Sequence, residues 1–299
     1  MQVKNMQDKA KKYLDYLKKN KKLSESTLSA YKKDLNDYFS YLSMQNLTLD
    51  TVRKKTIFAY ENYLASNGKS ASSIARALSS MRGFHQYLMT TGKSKNNPLL
   101  GVETPKPARV MPGILSVREV QTLLSQPKCT NYKGYRDRAI LELLYATGIR
   151  VSELIQLKFS DVDFTKRTIS CTDRIIPFGS FSSEALEEYI KMSPFHSDKE
   201  KDVYLFTNTG GRQLTRQGVW KMMKKYTAQS GIEKDVSPQI LRNSFAAHLI
   251  ENGADIKIVQ ELMGHTALSS TLIYAELTKD RLRDAYNKAH PRAKFQKFE

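Results

Sequence analysis

The stretch from Ser237 to Leu277, SPQILRNSFAAHLIENGADIKIVQELMGHTALSSTLIYAEL, holds an arginine (Arg242), a histidine in a Gly-His pair (His265) and a tyrosine (Tyr274). A second arginine, Arg150, follows a glycine turn in ATGIRVSEL. These residue types suit attack on a phosphodiester. A phenol can attack phosphorus and keep the energy of the broken backbone in a phosphotyrosine bond. A planar guanidinium donates two hydrogen bonds to one phosphate and never loses its proton. Such fixed cations offset the charge that gathers on the non-bridging oxygens. The departing 5′ oxygen needs a proton. Neither a metal nor a nucleotide is required.

Taken singly, each residue has a plainer reading. The chain has 16 tyrosines, so most of them must serve packing. A lone arginine is more often half of a surface ion pair. Arg242, however, falls in the first turn of its expected helix, where the helix dipole disfavours a cation. It is therefore expected to serve a phosphate or a buried acid. Glu153, one turn after Arg150, either orients that arginine or simply favours its helix N-terminus. His248, on an apolar face in FAAHL, is read as structural.

Helices must carry most of these groups. In residues 1–100, Leu28, Tyr31, Leu35, Tyr38 and Leu42 recur at spacings of three and four behind Ser24, an N-cap. Ile74, Leu78, Met81, Phe84 and Leu88 repeat the pattern, and Gly92 is the expected stop. With shorter helices at Lys9 to Leu17 and within TIFAYENYLASNG, this predicts a bundle of about four. NNPLLGVETPKPARVMPG carries Pro98, Pro105, Pro107 and Pro112, which deny helical hydrogen bonds and mark a linker over 101–113.

The second part, 114–299, opens on a Ser116/Glu119 capping box. YRDRAILELLYATGIRVSELIQL predicts two helices broken at Thr147-Gly148. RTISCTDRIIPFG reads as a short hairpin, and DVYLFT as a further strand. Helices are expected at 215–230, 238–251, 255–263, 267–276 and 279–289. The fold class is thus mainly α, with a small β-hairpin in the second part.

Composition bounds the partners. Lys and Arg outnumber Asp and Glu by 48 to 30, a net charge of +18. Residues 1–100 hold 18 of the basic and 7 of the acidic side chains, so most of the excess lies there. A basic domain of this kind points to a polyanion, nucleic acid before others. Two unpaired cysteines, Cys129 and Cys171, fit a reducing cytoplasm and exclude a disulfide framework. Five scattered histidines (85, 196, 248, 265, 290) argue against a metal site. No run of about 18 apolar residues predicts a membrane span, and no N-terminal signal core is apparent.

The order and context of these blocks resemble the tyrosine recombinases, and within them the Xer-type enzymes, over nearly the whole chain. LSESTLSAYKKDL is similar to their first core-binding helix. YRDRAILELLYATGIRVSELIQLKFSDVD is similar to the block around the first arginine. LRNSFAAHLIENGADIKIVQELMGHTALSSTLIYAEL resembles the block holding the second arginine, the Gly-His motif and the nucleophile, and HPRA at 290–293 resembles the tail. The resemblance implies an N-terminal SAM-like core-binding domain and a mostly helical catalytic domain. It implies that Arg150 and Arg242 clamp the scissile phosphate, that His265 binds a non-bridging oxygen, and that Tyr274 attacks. Glu153 would orient an arginine. No cofactor is implied.

Two departures matter. The family's histidine three residues before the second arginine is here Gln239, which can hydrogen-bond but cannot shuttle a proton at pH 7. The family's general-acid lysine in the hairpin is missing; Lys166, at the hairpin's start, is the nearest lysine. Arg174 aligns with a family arginine outside the reacting set. Loss of a general acid costs about 10² to 10⁴-fold in rate.

The expected function is site-specific recombination of double-stranded DNA in the cytoplasm. The working form would be a homo-tetramer on paired sites, or a hetero-tetramer with a second recombinase. Helix 279–289, through Leu282, Ala285 and Tyr286, would dock on a neighbouring subunit. A relative that binds DNA but cuts weakly, and a topoisomerase with the same chemistry, are the other readings.

Overall fold

A computed structural model of the chain describes residues 2–105, 113–171, 174–195 and 203–264. The chain divides into two compact units, Met1–Arg109 and Val110–Glu299.

The first unit is built from α1 (Gln2–Asn20), α2 (Glu25–Met44), α3 (Lys54–Ser66) and α4 (Ala71–Thr90). Ser24 and Ser70 accept hydrogen bonds from Thr27 and Ser73 backbone N–H groups, satisfying donors that helix N-termini leave unpaired. The apolar stripe read from α4 is buried at all five positions, and on α2 only Tyr31 stays partly exposed. Helices α1 and α4 approach closely at Gly83, where a Cβ would collide with the Tyr13 hydroxyl. Between the helices lie Tyr38, Phe39, Tyr60 and Phe84, none more than 1% exposed. His85 is buried among them, 3.1 Å from the Tyr38 hydroxyl, and burial pushes its pKa down to about 4. Asp34 is buried but takes both oxygens' worth of hydrogen bonds from Arg76, at 2.8 and 2.9 Å. Packing runs on past the bundle: Leu99 and Val102 are buried in the same core.

The second unit centres on α6 (Tyr132–Thr147), the helix that ends at the site. Around its core, among the described residues, stand α5 (Val117–Leu124), α7 (Val151–Leu154), α8 (Ser180–Met192), α9 (Arg216–Ser230), α10 (Pro238–Glu251) and α11 (Ile256–Met263). The Ser116/Glu119 capping box is formed. Asn131, Thr215, Ser237 and Asp255 cap their helices by accepting one backbone N–H each. Helix α8 was not foreseen. It packs on α6 through Ala185, Leu186 and Tyr189, and its serine-rich first turn conceals the apolar spacing.

The hairpin forms as β2 (Thr168–Cys171) and β3 (Arg174–Pro177), with Ile169 opposite Ile176 and Cys171 opposite Arg174. A two-residue strand β1 (Val162–Asp163) adds an antiparallel edge, giving the order β1-β2-β3. The strand expected in DVYLFT does not form over its described residues. Tyr204 and Thr207 make single bridges, to Lys158 and Gln213. Leu205 and Phe206, between the two bridges, are buried without forming a ladder. The helices expected at 267–276 and 279–289 lie outside the described residues.

Candidate active site

Helix α6 ends because Gly148 turns left-handed, with φ of +57°. The Phe245 ring of α10 lies where a Cβ would stand, so glycine is required twice over. Two residues later Arg150 opens α7. Glu153, one turn on, accepts from the Arg150 backbone N–H at 2.8 Å and from Arg150 Nη1 at 3.1 Å. One carboxylate thus both caps the start of α7 and binds the Arg150 side chain.

The same carboxylate takes a fork from the hairpin. Arg174 Nη1 and Nη2 donate to Glu153 Oε1 and Oε2, each at 2.9 Å. Burial pushes the Glu153 carboxyl up. Bonds from Arg174 and the Arg150 backbone, with the charges of both arginines, outweigh burial and hold it below the ordinary carboxylate range.

Arg242 is 3% exposed. Its Nη1 donates to the Gly148 carbonyl and its Nη2 to the Met263 carbonyl. This explains a cation in the first turns of α10: its charge sits at the C-terminal ends of α6 and α11, where carbonyls are unpaired and the dipole favours it.

The end of α11 joins the arginines. Arg174 Nε donates to Leu262 O at 3.0 Å, Arg242 Nη2 to Met263 O, and Arg150 Nη2 to Gly264 O at 2.7 Å. Three successive carbonyls thus meet three guanidiniums from three separate elements. Gly264 makes this approach possible. Its φ is +58°, and a Cβ there would stand 2.7 Å from Arg174 Nη1 and 3.2 Å from Arg150 Nη1. Next in sequence comes His265.

Electrostatically, the Glu153 carboxylate serves Arg150 and Arg174, while Arg242 is held by the Gly148 and Met263 carbonyls. The Arg150 side chain is 40% exposed, against 8% for Arg174 and 17% for Glu153, so Arg150 presents the cluster to solvent. An open groove of about 900 Å³ lies against Arg174 and Gly264, and Asp161, Glu261, Ile175 and Ile258 also line it. A fixed, part-exposed cation such as Arg150 suits an arriving oxyanion.

The structure brings Arg150, Glu153 and Arg242 together. Gln239 is exposed in the first turn of α10 and donates to Asn243 Oδ1 at 2.9 Å. Lys166 lies in the turn between β1 and β2, 79% exposed and 3.5 Å from Asp163. That turn is at the opposite end of β2 from Arg174. His248 pairs with the Tyr145 hydroxyl at 2.9 Å in a buried contact. His265 and Tyr274 lie outside the described residues. Arg174 is the member that sequence reasoning passed over. A cation at the first position of the short strand RIIP, directly opposite a buried cysteine, was the available clue. Among the described residues no cluster of His, Cys, Asp or Glu could hold a metal ion.

Comparison with known proteins adds three findings. The phage integrase family matches residues 114–281, and the phage integrase N-terminal SAM-like domain matches residues 10–92. The chain is 41% identical over 297 residues to tyrosine recombinase XerD of Listeria innocua, covering 96% of this chain and all of that one. Among solved structures, the XerA recombinase is 27% identical, covers 95% of this chain and 99% of its own, and superposes with a TM-score of 0.54. The XerH recombinase bound to a palindromic difH substrate reaches a TM-score of 0.73 over 87% of this chain and 79% of that one. Its identity is 21%, which speaks for a shared fold.

Proposed function

The chain belongs to the phage integrase family, and we infer that it is a site-specific tyrosine recombinase of the Xer type. It cleaves and rejoins double-stranded DNA. The relative named XerD matches 96% of its length, and the recombinases of its fold include one bound to a DNA substrate.

The observation that carries the chemistry is the meeting of Arg150, Arg174 and Arg242 at the end of α11, with Glu153 pairing the first two. Arg150 and Arg242 hold the scissile phosphate. Arg150 uses two of its five N–H donors on Glu153 and Gly264, which leaves three for oxygen atoms of a ligand. His265 donates to a non-bridging oxygen. The Tyr274 hydroxyl oxygen attacks phosphorus, the bond to the 5′ oxygen breaks, and a 3′-phosphotyrosine link remains. Attack by a 5′ hydroxyl from the partner strand reverses the step and releases Tyr274, so no outside energy is consumed. Gln239 contributes a hydrogen bond rather than a proton. The hairpin supplies no lysine between Arg167 and Arg174, so protonation of the 5′ oxygen falls to water or to a mobile side chain such as Lys166.

The basic bundle of residues 1–100 and the second domain bind duplex together. Four subunits on paired sites, all of this chain or shared with a second recombinase, exchange strands in pairs. The reaction belongs in the cytoplasm, where the DNA is. Among the described residues no helix is long and apolar enough to cross a membrane.

The test uses nicked duplexes of partly random sequence. A nick beside the cut lets a short fragment leave, so cleavage becomes irreversible. A covalent protein–DNA band with the native chain, absent with Tyr274→Phe, is the expected result. Retarded DNA on native gels with no covalent band would replace this reading with a DNA-binding relative that does not cut.

A further inference from the structure

We propose that Arg174 is a positioning residue for strand cleavage: it locks the hairpin, Glu153 and the end of α11 into one unit, and thereby fixes Arg150 and the start of the Gly264-His265 segment. The inference rests on the recombinase reading above.

Three observations carry it. First, Arg174 is spent on the protein. Its Nε donates to Leu262 O, and both terminal nitrogens donate to Glu153. With its side chain 8% exposed, it presents no open fork to a phosphate. Second, what it holds is what the clamp leans on. Glu153 binds both the backbone N–H and the Nη1 of Arg150. Without Arg174, Glu153 has one cationic partner in place of two, and Arg150 is drawn onto it and away from a ligand. Third, the Arg174 guanidinium lies against Gly264, the residue before His265, so closely that no side chain fits there.

The placement gives the shortened hairpin a purpose. In the short strand RIIP, Arg174 is the basic residue, and it stands opposite Cys171 at the end of β2. The strand that lacks a lysine still reaches the site through this side chain. A fork with a third donor on another edge of the same plane is what arginine provides and lysine does not. A point-like ammonium can meet Glu153 but cannot at once hold Leu262 O and both carboxylate oxygens.

The proposal separates binding from cleavage. Arg174 touches neither DNA nor the reacting atoms, so DNA retention on native gels stays unchanged in Arg174→Met and Arg174→Lys. Single-turnover formation of the covalent band, on a nicked duplex recovered by repeated selection with the native chain, falls about 10²-fold in Arg174→Met, the loss that a misplacement of about 1 Å brings. Arg174→Lys recovers only part of it.

A pH profile distinguishes positioning from mere support of the fold. In the native chain Glu153 stays ionised well into the acid range. Without Arg174 its carboxyl takes a proton at higher pH, so cleavage by Arg174→Met shows an acid limb that native cleavage lacks. Glu153→Gln removes the titrating group, and the double variant Glu153→Gln/Arg174→Met loses that limb. Native-like cleavage with a native pH profile in Arg174→Met overturns the proposal. So does equal loss of DNA binding and cleavage, which would make Arg174 a DNA contact or a fold support. Should Arg174→Met fail to fold, Arg174→Lys keeps the charge, and a rate equal to the native one in that variant overturns the need for a fork. Absence of any Tyr274-dependent band with the native chain would instead sink the recombinase reading, and this role with it.

Discussion

Gly264→Ala tests the geometry of the site with a single methyl group. The residue has φ of +58°, a region that costs an L-residue about 1 kcal/mol. The added Cβ would also stand 2.7 Å from Arg174 Nη1, 2.9 Å from its Cζ and 3.2 Å from Arg150 Nη1. At least one guanidinium must retreat, and a lost charge-assisted hydrogen bond is worth about 1.5–3 kcal/mol. The expected loss of stability is therefore about 2.5–4 kcal/mol. At roughly 2–4 °C per kcal/mol for a domain of this size, the second unit melts about 5–15 °C lower. Gly231→Ala is the matched control. Gly231 also caps a helix, with φ of +69°, yet nothing lies within 4 Å of its Cβ position. It bears the backbone cost of about 1 kcal/mol alone, so its melting point drops about 2–4 °C. The two variants diverge further in cleavage. Gly264→Ala cuts nicked duplex about 10²-fold more slowly, because the arginines are displaced. Gly231→Ala cuts within about twofold of the native rate, less than about 0.5 kcal/mol. Thermal melts followed by circular dichroism, and single-turnover gels, read both effects. Equal melting shifts and equal rates for the two alanines would refute the argument that Gly264 is pressed between arginines.

Further consequences concern the rest of the chain. His85 is buried neutral, with its pKa pushed down to about 4 by burial, while in the unfolded chain it titrates near 6.5. Its contribution is fully present above pH 6.5. As pH falls from 6.5 towards 4 the unfolded state gains a proton the folded state refuses, and about 3 kcal/mol is lost. Urea unfolding of the full chain at pH 7 and pH 4.5 measures the difference, and His85→Phe flattens it. Tyr226 donates to Asp137 at 3.0 Å in the core of the second unit, so Tyr226→Phe costs about 1–2 kcal/mol by urea unfolding with little effect on cleavage. Lys166→Ala tests the exposed lysine at the far end of β2. Cleavage within about twofold of the native rate is expected if water protonates the 5′ oxygen, and a fall of about 10² or more would identify the general acid.

Much of the fold was legible because helix signals are local. Ser24 and Ser116 announce helix starts by hydrogen bonds made within three residues, and apolar spacing sets the buried face. Helix α8 was hidden by its serines, and the apolar run at Tyr204–Thr207 suggested a strand where only two single bridges form. At the site, residue types and motif order marked Arg150, Glu153 and Arg242. Their arrangement was not readable, because it depends on tertiary contacts: Arg174 meets Glu153 across 21 residues, and Arg242 reaches Gly148 across 94. An arginine whose donors are all turned inward looks, in sequence, like any other arginine on a short strand.

The most direct measurement identifies the covalent bond itself. Protein trapped on a nicked duplex labelled at its 5′ end is digested with trypsin, and the peptide carrying nucleotide is sequenced by mass spectrometry. The account predicts one adduct, on the peptide containing Tyr274, joined to the 3′ phosphate of the strand that keeps the label. An adduct on another residue, or attachment through a 5′ phosphate, would contradict it.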